Sequence, residues 1–378
     1  AVGLDQGIVL ATAGLLALGI VMVTSTSMVV AESYSLSRWH YLVRHLFYIG
    51  VGLGLAASLR FVSIAHIKRL SNLAFPGAVV LLLLPFVPGL GHKVNGAVRW
   101  IDIGVVRLQV VEPVKLLVIL FMAAYLARRT AFQSARFAET LKPLLLVGLL
   151  AGIVLKHPDM GSAMVLAAIA GGMVWLAGAA WKHLFVLGLG SLPLLTFAAL
   201  EPYRFERVLT FVDPWADPYN NGFQLIQALI AVGRGQIGGV GLGASVQKLY
   251  YLPEAHTDFI FAVLAEELGL VGIVAVLAMF VLLIARMFAV GIRAQRQQRP
   301  FAAFVCWGVA LWLGLQALVS MGVNLGMLPT NGLPLPLISA GGSSMAMTIL
   351  AIGIVLRIQW ELGVAALRQP RRRRSWET

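Results

Sequence analysis

The sequence predicts an all-α polytopic integral membrane protein with about ten transmembrane helices. Two observations lead to this fold class. The chain of 378 residues is 59% apolar and only 12% charged, and its mean hydropathy is +0.87. Soluble domains usually contain about 45–50% apolar and about 25% charged residues, so a soluble enzyme with one core is all but excluded. A bilayer-spanning helix takes about 20 apolar residues, so a single membrane domain, residues 1–378, accounts for most of the chain.

Ten apolar runs are long enough to be spans. They lie at roughly 7–25, 43–59, 73–90, 110–126, 141–155, 161–180, 183–200, 259–285, 301–325 and 344–358. The eighth belongs to an apolar stretch, Phe259 to Gly291, that is longer than a bilayer is thick, and Gly269 and Gly272 are candidate kink positions. The lone cysteine, Cys306, lies in an apolar run and is expected to be a small buried side chain.

The charges of the loops predict the orientation. If the N-terminus is cytoplasmic, the inner loops and the basic tail at 359–378 carry a large excess of Arg and Lys, whereas the charges of the outer loops balance. This asymmetry predicts that both termini are cytoplasmic. The one large loop, 201–258, then lies on the outer, periplasmic side. The Arg371–Arg374 run is most simply an anchor on anionic lipid, and a protein-docking role is the alternative.

Several catalytic classes lack their signatures. The chain has no GxxxxGK[ST] loop, no HExxH motif and no GxSxG motif, so no nucleotide or zinc chemistry is expected. The glycines at 233–243 follow no predicted strand, and they are better read as a tightly turned segment close to a ligand or to the membrane surface.

Three titratable residues stand close together at the outer mouth of the eighth span: Glu254, His256 and Asp258. Ionisable groups near low dielectric are costly, which favours a functional role, and an Asp there can act as a base. The alternative is structural, since Thr257 or Asp258 could cap the eighth helix.

Glu112 and Lys115 lie three residues apart at the start of the fourth span, so they can form an intrahelical ion pair. The pair either neutralises itself structurally or positions a substrate or the catalytic Asp. Glu266 and Glu267 lie deeper in the eighth span, and at least one of them should face the protein interior.

Four long motifs resemble the SEDS family of cell-wall polymerases. They are Asn95-Gly96-Ala97-Val98-Arg99-Trp100-Ile101, Pro158-Asp159-Met160-Gly161, Leu252 to Phe261, and Leu328 to Ser344. The Pro329-Thr330-Asn331-Gly332 stretch is closer to the division-type members, and the elongation-type members are the second choice. One departure is Gln109-Val110-Val111-Glu112, where the family often reads Gln-Pro-Ser-Glu. It leaves Glu112 and Lys115 in place.

The resemblance implies a reaction and a site. The reaction is the polymerisation of lipid II, with undecaprenyl pyrophosphate as the leaving group. The family's essential aspartate maps onto Asp258 as general base, and it could also bind a divalent cation, Mg²⁺ or Mn²⁺. Supporting residues would be Glu112, Lys115, Glu254 and His256. Candidate substrate-binding residues are Arg99, Arg204, Arg207, Lys248, Ser343 and Ser344.

The resemblance also implies partners and a location. The partners would be the class B penicillin-binding transpeptidase FtsI and the FtsQ, FtsL and FtsB proteins. The location would be the division septum of a bacterial inner membrane. Two alternatives stay open, a lipid II flippase and a division scaffold without activity. A flippase should carry ionisable residues through the midplane on several helices, whereas here most of them gather at the outer rim.

Overall fold

The computed structural model is a helical bundle with a small outer sheet. It describes residues 3–33, 35, 37–94, 97–104, 106–128, 137–220, 222–249 and 252–368. The Arg371–Arg374 run lies outside these residues.

Each of the ten predicted spans overlaps a helix, which confirms the predicted fold class, although the third span begins earlier than predicted, at Ile64 and not at 73. The helices before the large loop are α1 (Gln6–Ser33), α2 (His40–Ser58), α3 (Ile64–Leu70) with α4 (Ala74–Leu83), α5 (Val111–Ala127), α6 (Phe137–Lys156), α7 (Met160–Leu176) and α8 (Trp181–Ala199). Those after it are α11 (Ile260–Arg296), α12 (Pro300–Asn324) and α13 (Ser343–Arg368). By length and hydropathy, six segments of the described chain can cross a membrane: α1, α2, α3 with α4, α11, α12 and α13.

The centre of the bundle is formed by α5, α11, α12 and α13. Helix α12 packs against α11, α5 and α7, and α13 packs against α2. Cys306 is buried in α12, as predicted. Most side chains of α12 are buried, so this helix is largely surrounded by protein.

A three-stranded antiparallel sheet follows α4 on the outer side, which the sequence analysis did not predict. Its strands are β1 (Gly91–Val94), β2 (Ala97–Ile103) and β3 (Val106–Gln109), in the order β1-β2-β3. His157 fastens the sheet to the bundle, because its ring nitrogens lie 2.7 Å from the Val98 carbonyl oxygen and 2.9 Å from that of Leu82.

The large loop contains two helices, α9 (Pro202–Val212) and α10 (Phe223–Gly235). The glycine-rich segment after α10 packs against a break in α11. At the break, Gly269 has a φ of 63° and a ψ of −160°. The Val240 and Gly241 amides donate to the Glu266 and Glu267 carbonyls at 2.9 and 3.1 Å, so the segment satisfies backbone groups that the break frees. The kink predicted at Gly269 is thereby confirmed.

The connection between α12 and α13 returns into the bundle. We call residues 328–342 the re-entrant loop. Its apolar side chains Leu333, Leu335, Leu337 and Ile338 are buried. Non-helical backbone at membrane depth is tolerated where protein surrounds it. Helix α1 contacts the loop at Gly19, where a Cβ would lie 2.6 Å from the Leu337 carbonyl oxygen.

Candidate functional site

Asp258 lies in the turn that precedes α11, at the outer side of the bundle. It lines a small cavity of about 50 Å³ together with Arg207 of α9 and with Asn331 and Gly332 of the re-entrant loop. The loop approaches closely, since a Cβ at Gly332 would lie 3.3 Å from Asp258 Oδ2. Asp258 is therefore a partly buried carboxylate that faces a cavity.

The helix-cap interpretation of Asp258 and Thr257 is wrong. The N-cap residue of α11 is Phe259, whose side chain forms no capping hydrogen bond. Asn324, the last residue of α12, provides a cap from another helix, because its Oδ1 accepts from the Ala262 amide at 2.9 Å. Its Nδ2 donates to the Asp258 carbonyl oxygen at 2.9 Å. Asn324 therefore fixes the backbone of Asp258 and leaves the carboxylate to the cavity.

The surroundings of Asp258 favour a group that exchanges a proton near neutral pH. Burial, followed by the negative charge of Glu254, raises the pKa of Asp258 to about 7, and Arg99 and Arg207 oppose this rise. Asp159 contributes a smaller increase. A general base works best when its pKa lies near the working pH.

Two of the four predicted cations converge on Asp258. Arg207 donates to the Thr330 carbonyl oxygen of the re-entrant loop at 2.9 Å. Arg99, on β2, lies 3.7 Å from the carboxylate of Asp159, which caps α7 by accepting from the Ser162 amide. The side chain of Arg204 lies outside the described part of the chain.

Lys248 is placed elsewhere. Its ammonium donates to Glu267 Oε1 at 2.8 Å, to Ser25 Oγ at 2.8 Å and to the Gly243 carbonyl at 2.7 Å. These three bonds use all the donors of an ammonium group. Glu266 is likewise paired, with Arg234 at 3.3 Å. Both adjacent glutamates are buried, and each has its own cation.

The predicted Glu112–Lys115 ion pair is present, with Lys115 Nζ 2.8 Å from Glu112 Oε1 and both side chains buried. Lys115 also donates to Gln316 Oε1 at 2.8 Å, and Trp312 Nε1 donates to the same oxygen. Gln316 Nε2 in turn donates to the Pro334 carbonyl at 2.9 Å. The pair is thus joined through Gln316 to the re-entrant loop that lines the Asp258 cavity.

The other predicted site residues surround this core. Glu254 is exposed, has a positive φ of 56°, and accepts from the Thr257 hydroxyl at 2.7 Å. His256 packs its ring on Tyr41 at 4.8 Å, and burial lowers its pKa. Ser343 and Ser344 are buried at the start of α13, and Ser343 Oγ accepts from the Gln109 amide at 3.1 Å. Ser343 therefore holds β3, and the Ser344 amide donates to the Gly341 carbonyl of the re-entrant loop at 3.0 Å.

The sequence analysis missed Gln316 and Asn324. A signal for them was present, because Gln316, Ser320 and Asn324 recur every four residues and so place a polar stripe on one face of an apolar helix. It also missed Ser339, whose hydroxyl donates to the Thr257 carbonyl at 2.7 Å. That bond ties the re-entrant loop to the turn carrying Asp258, and lone serines in such a loop give no pattern.

An apolar cavity of about 250 Å³ adjoins the Asp258 cavity, and Arg207, Thr330 and Asn331 line both. Its other lining residues come mainly from α7, α12 and the re-entrant loop, including Met164, Val165, Leu315, Val319 and Leu328. The arrangement can therefore receive a molecule with a charged head at Asp258 and an apolar chain beside it.

A divalent cation would have few protein ligands here. Among the residues that the structure describes, no group of three or more His, Cys, Asp or Glu side chains could hold a metal ion. Asp258 lines the cavity, and Glu254 and Asp159 are the carboxylates that act on it electrostatically. This fits Mg²⁺, which is commonly bound by one or two carboxylates with substrate phosphates and water completing the shell.

These features define a multi-pass membrane protein with a polar site under its outer surface. Comparison with known proteins gives its family. The profile of cell cycle proteins of the FtsW, RodA and SpoVE type matches residues 6–363, and the chain belongs to this family.

Similar proteins are known from sequence and from structure. Two relatives named "Probable peptidoglycan glycosyltransferase FtsW" come from Coxiella burnetii and Halorhodospira halophila. The Coxiella burnetii relative is 47% identical over 94% of this chain and 96% of its own. The Halorhodospira halophila relative is 46% identical over 96% of this chain and 92% of its own. Rod shape determining protein RodA of Thermus thermophilus superposes with a TM-score of 0.67 at 32% identity, over 94% of this chain and 97% of that one. A chain of a structure described as a peptidoglycan synthase complex that coordinates polymerization and crosslinking gives 0.76 at 32% identity, over 96% and 99%.

Proposed function

We propose that this chain is a peptidoglycan glycosyltransferase of the FtsW type, which polymerises lipid II during septal cell-wall synthesis. The observation that carries the proposal is the position of Asp258. Its pKa is about 7, two arginines act on it electrostatically, and it faces a cavity that adjoins an apolar one. The names of the relatives support the same activity.

In this mechanism Asp258 accepts the proton of the acceptor sugar's 4-hydroxyl. The hydroxyl oxygen forms a bond to the anomeric carbon of the donor, and the bond from that carbon to the pyrophosphate oxygen breaks. The electron pair leaves with undecaprenyl pyrophosphate. Arg207 and Arg99 are placed to offset the negative charge that grows on the leaving group, the kind of electrostatic stabilisation that often dominates catalysis.

The apolar cavity suits the first isoprene units of the donor lipid. Its lining is almost wholly aliphatic apart from Arg207, Thr330 and Asn331, which it shares with the Asp258 cavity. A lipid lying there would bring its pyrophosphate to Arg207. Hydrophobic contacts would then hold the donor while the polar groups fix its orientation.

A divalent cation would be held by Asp258 with help from Glu254 and would supply additional positive charge for the pyrophosphate. The chain's own contribution is to set the carboxylate between Arg99 and Arg207 and to fix its backbone through Asn324.

The proposed partners are FtsI, FtsQ, FtsL and FtsB, and the proposed location is the septal inner membrane with both termini cytoplasmic. Support for a transpeptidase partner comes from the related chain in a complex described as coordinating polymerization and crosslinking. The charge asymmetry of the loops supports the orientation.

Flippase and scaffold functions are distinguished from polymerisation by an assay without a bilayer. Purified protein in detergent micelles, alone and with its transpeptidase, is incubated with labelled lipid II, and the products are separated by size. We expect glycan chains that lysozyme digests. If no chains form, while vesicles containing the protein move lipid II between leaflets, the flippase function replaces the proposal.

A further inference from the structure

Helix α9 is amphipathic, and it exposes its apolar face, which is the reverse of what is expected for a helix in a water-exposed loop. Phe205, Leu209 and Val212 lie at i, i+4 and i+7, which places them on one face. These apolar side chains are 45%, 53% and 75% exposed. A run of apolar residues on one exposed helical face is typical of a surface that contacts lipid or another protein.

The opposite face of α9 carries the site. At about 100° per residue, Arg207 lies roughly opposite the Phe205–Leu209–Val212 face. Its guanidinium donates to the Thr330 carbonyl oxygen at 2.9 Å and lines both cavities. One helix of three turns thus joins an exposed apolar face to a cation that lines the Asp258 cavity.

The position of α9 favours lipid as the occupant of the exposed face. Helix α8 ends at Ala199 and α9 begins at Pro202, so α9 starts at the end of a predicted span. Close to α9, Leu192 of α8 and Leu200, which directly follows α8, are 50% and 60% exposed, so the exposed apolar surface of α8 reaches the start of α9. Just beyond α9, Trp215 is 60% exposed, and tryptophan is enriched where membrane meets water.

We propose that α9 lies in the phospholipid interface of the outer leaflet, with Phe205, Leu209 and Val212 among the acyl chains, and that this seat holds Arg207 over the Asp258 cavity. The membrane position of α9 is inferred from its exposed apolar face and from the continuity of that face with α8. The effect on Arg207 rests on the proposed function. The depth of α9 in the membrane therefore determines where Arg207 lies relative to the Asp258 cavity.

The seat is tested by the accessibility of spin labels in vesicles of phosphatidylethanolamine and phosphatidylglycerol. The buried Cys306 is replaced by Ala, and a nitroxide is attached at Leu209→Cys or, as the matched control on the polar side, at Glu206→Cys. At position 209 we expect collisions with oxygen to exceed those with a water-soluble nickel chelate several-fold, and at position 206 we expect the reverse. Access of the chelate to position 209 overturns the seat. So does protection from both reagents, which would mean that protein covers the face.

The effect on the site is tested by polymerisation of lipid II with unlabelled variants. Leu209→Asp should raise the KM for lipid II several-fold, because the charge lifts α9 out of the lipid, whereas Leu209→Phe should retain the wild-type KM. A wild-type KM for Leu209→Asp overturns the coupling to Arg207 even where the labels place position 209 in lipid. Absence of polymerisation by the wild-type chain would instead contradict the proposed function and leave the spin-label result standing.

Discussion

The buried ion pair of α5 offers a test of whether Glu112 and Lys115 act structurally or position the site. Replacing Lys115 by Met leaves the Glu112 carboxylate, 1% exposed, without its cation. Removing one partner of a buried pair costs about 3–5 kcal/mol. Both Lys115→Met and Glu112→Leu should lower the thermal midpoint and the rate of polymerisation. The loss of stability should be smaller for Glu112→Leu, because Lys115 keeps its bond to Gln316 and its position 5.1 Å from the Trp312 ring.

The double variant Glu112→Leu with Lys115→Met separates the two roles. Apolar replacement of a whole buried pair is often neutral for stability, so the thermal midpoint should return towards that of the wild type. Polymerisation should not recover fully, because Gln316, which donates to the Pro334 carbonyl, loses the Lys115 bond, one of the two that its Oε1 accepts. One such bond contributes about 1 kcal/mol, which is roughly a fivefold loss of rate.

The assay measures thermal unfolding in detergent and lipid II polymerisation on the same preparations. Gln316→Leu, with the ion pair intact, is the matched control and should reproduce the loss of rate. If the double variant regains wild-type activity as well as wild-type stability, the pair is structural only and the link through Gln316 to the re-entrant loop has no part in catalysis.

Three further predictions concern pH, packing and orientation. Polymerisation should fall as the pH drops through about 7, because Asp258 must be ionised to act as a base. Glu254→Gln should move the midpoint of this pH profile to lower pH, and by less than about one pH unit, because the charge that is lost is exposed. An unchanged pH profile would contradict the effect of Glu254 on Asp258. Gly19→Ala should lower the free energy of unfolding by about 1–3 kcal/mol, because the new Cβ would overlap the backbone of the re-entrant loop. The control Gly50→Ala places its Cβ in open space and should not lower the thermal midpoint. Equal thermal midpoints for the two variants would argue against the close contact at Gly19. A cysteine at the exposed Tyr219 should react with an impermeant reagent from the periplasmic side of intact cells, and labelling only after the inner membrane is opened would reverse the predicted orientation.

The sequence predicted the spans well because the bilayer imposes one strong rule, that about 20 apolar residues must follow one another. The same rule explains why α11 was recognised together with its break at Gly269. The sheet at 91–109 was missed, because short strands with mixed charges carry little periodic signal. The alternative interpretation of Thr257 or Asp258 as an N-cap was wrong, because Asn324 from another helix accepts from the Ala262 amide of α11.

The candidate site was predictable where it depends on local chemistry and not where it depends on distant contacts. The Glu112–Lys115 pair followed from a spacing of three residues. The convergence of Arg99 and Arg207 on Asp258 required the sheet and α9 to fold over the cavity, which no local pattern states. Lys248 shows the converse, because a loop cation that looked available for substrate is bound to Glu267.

The most direct test of the account is the polymerisation rate of Asp258→Asn with its transpeptidase partner and lipid II. The side chain of Asp258 caps no helix, and its carbonyl oxygen is held by Asn324, so the Asn variant should fold, insert and bind the partner as the wild type does. Loss of a general base typically lowers the rate by about 10²- to 10⁴-fold, and this loss is the result we predict. Polymerisation by Asp258→Asn at close to the wild-type rate would contradict the assignment of Asp258 as the catalytic base.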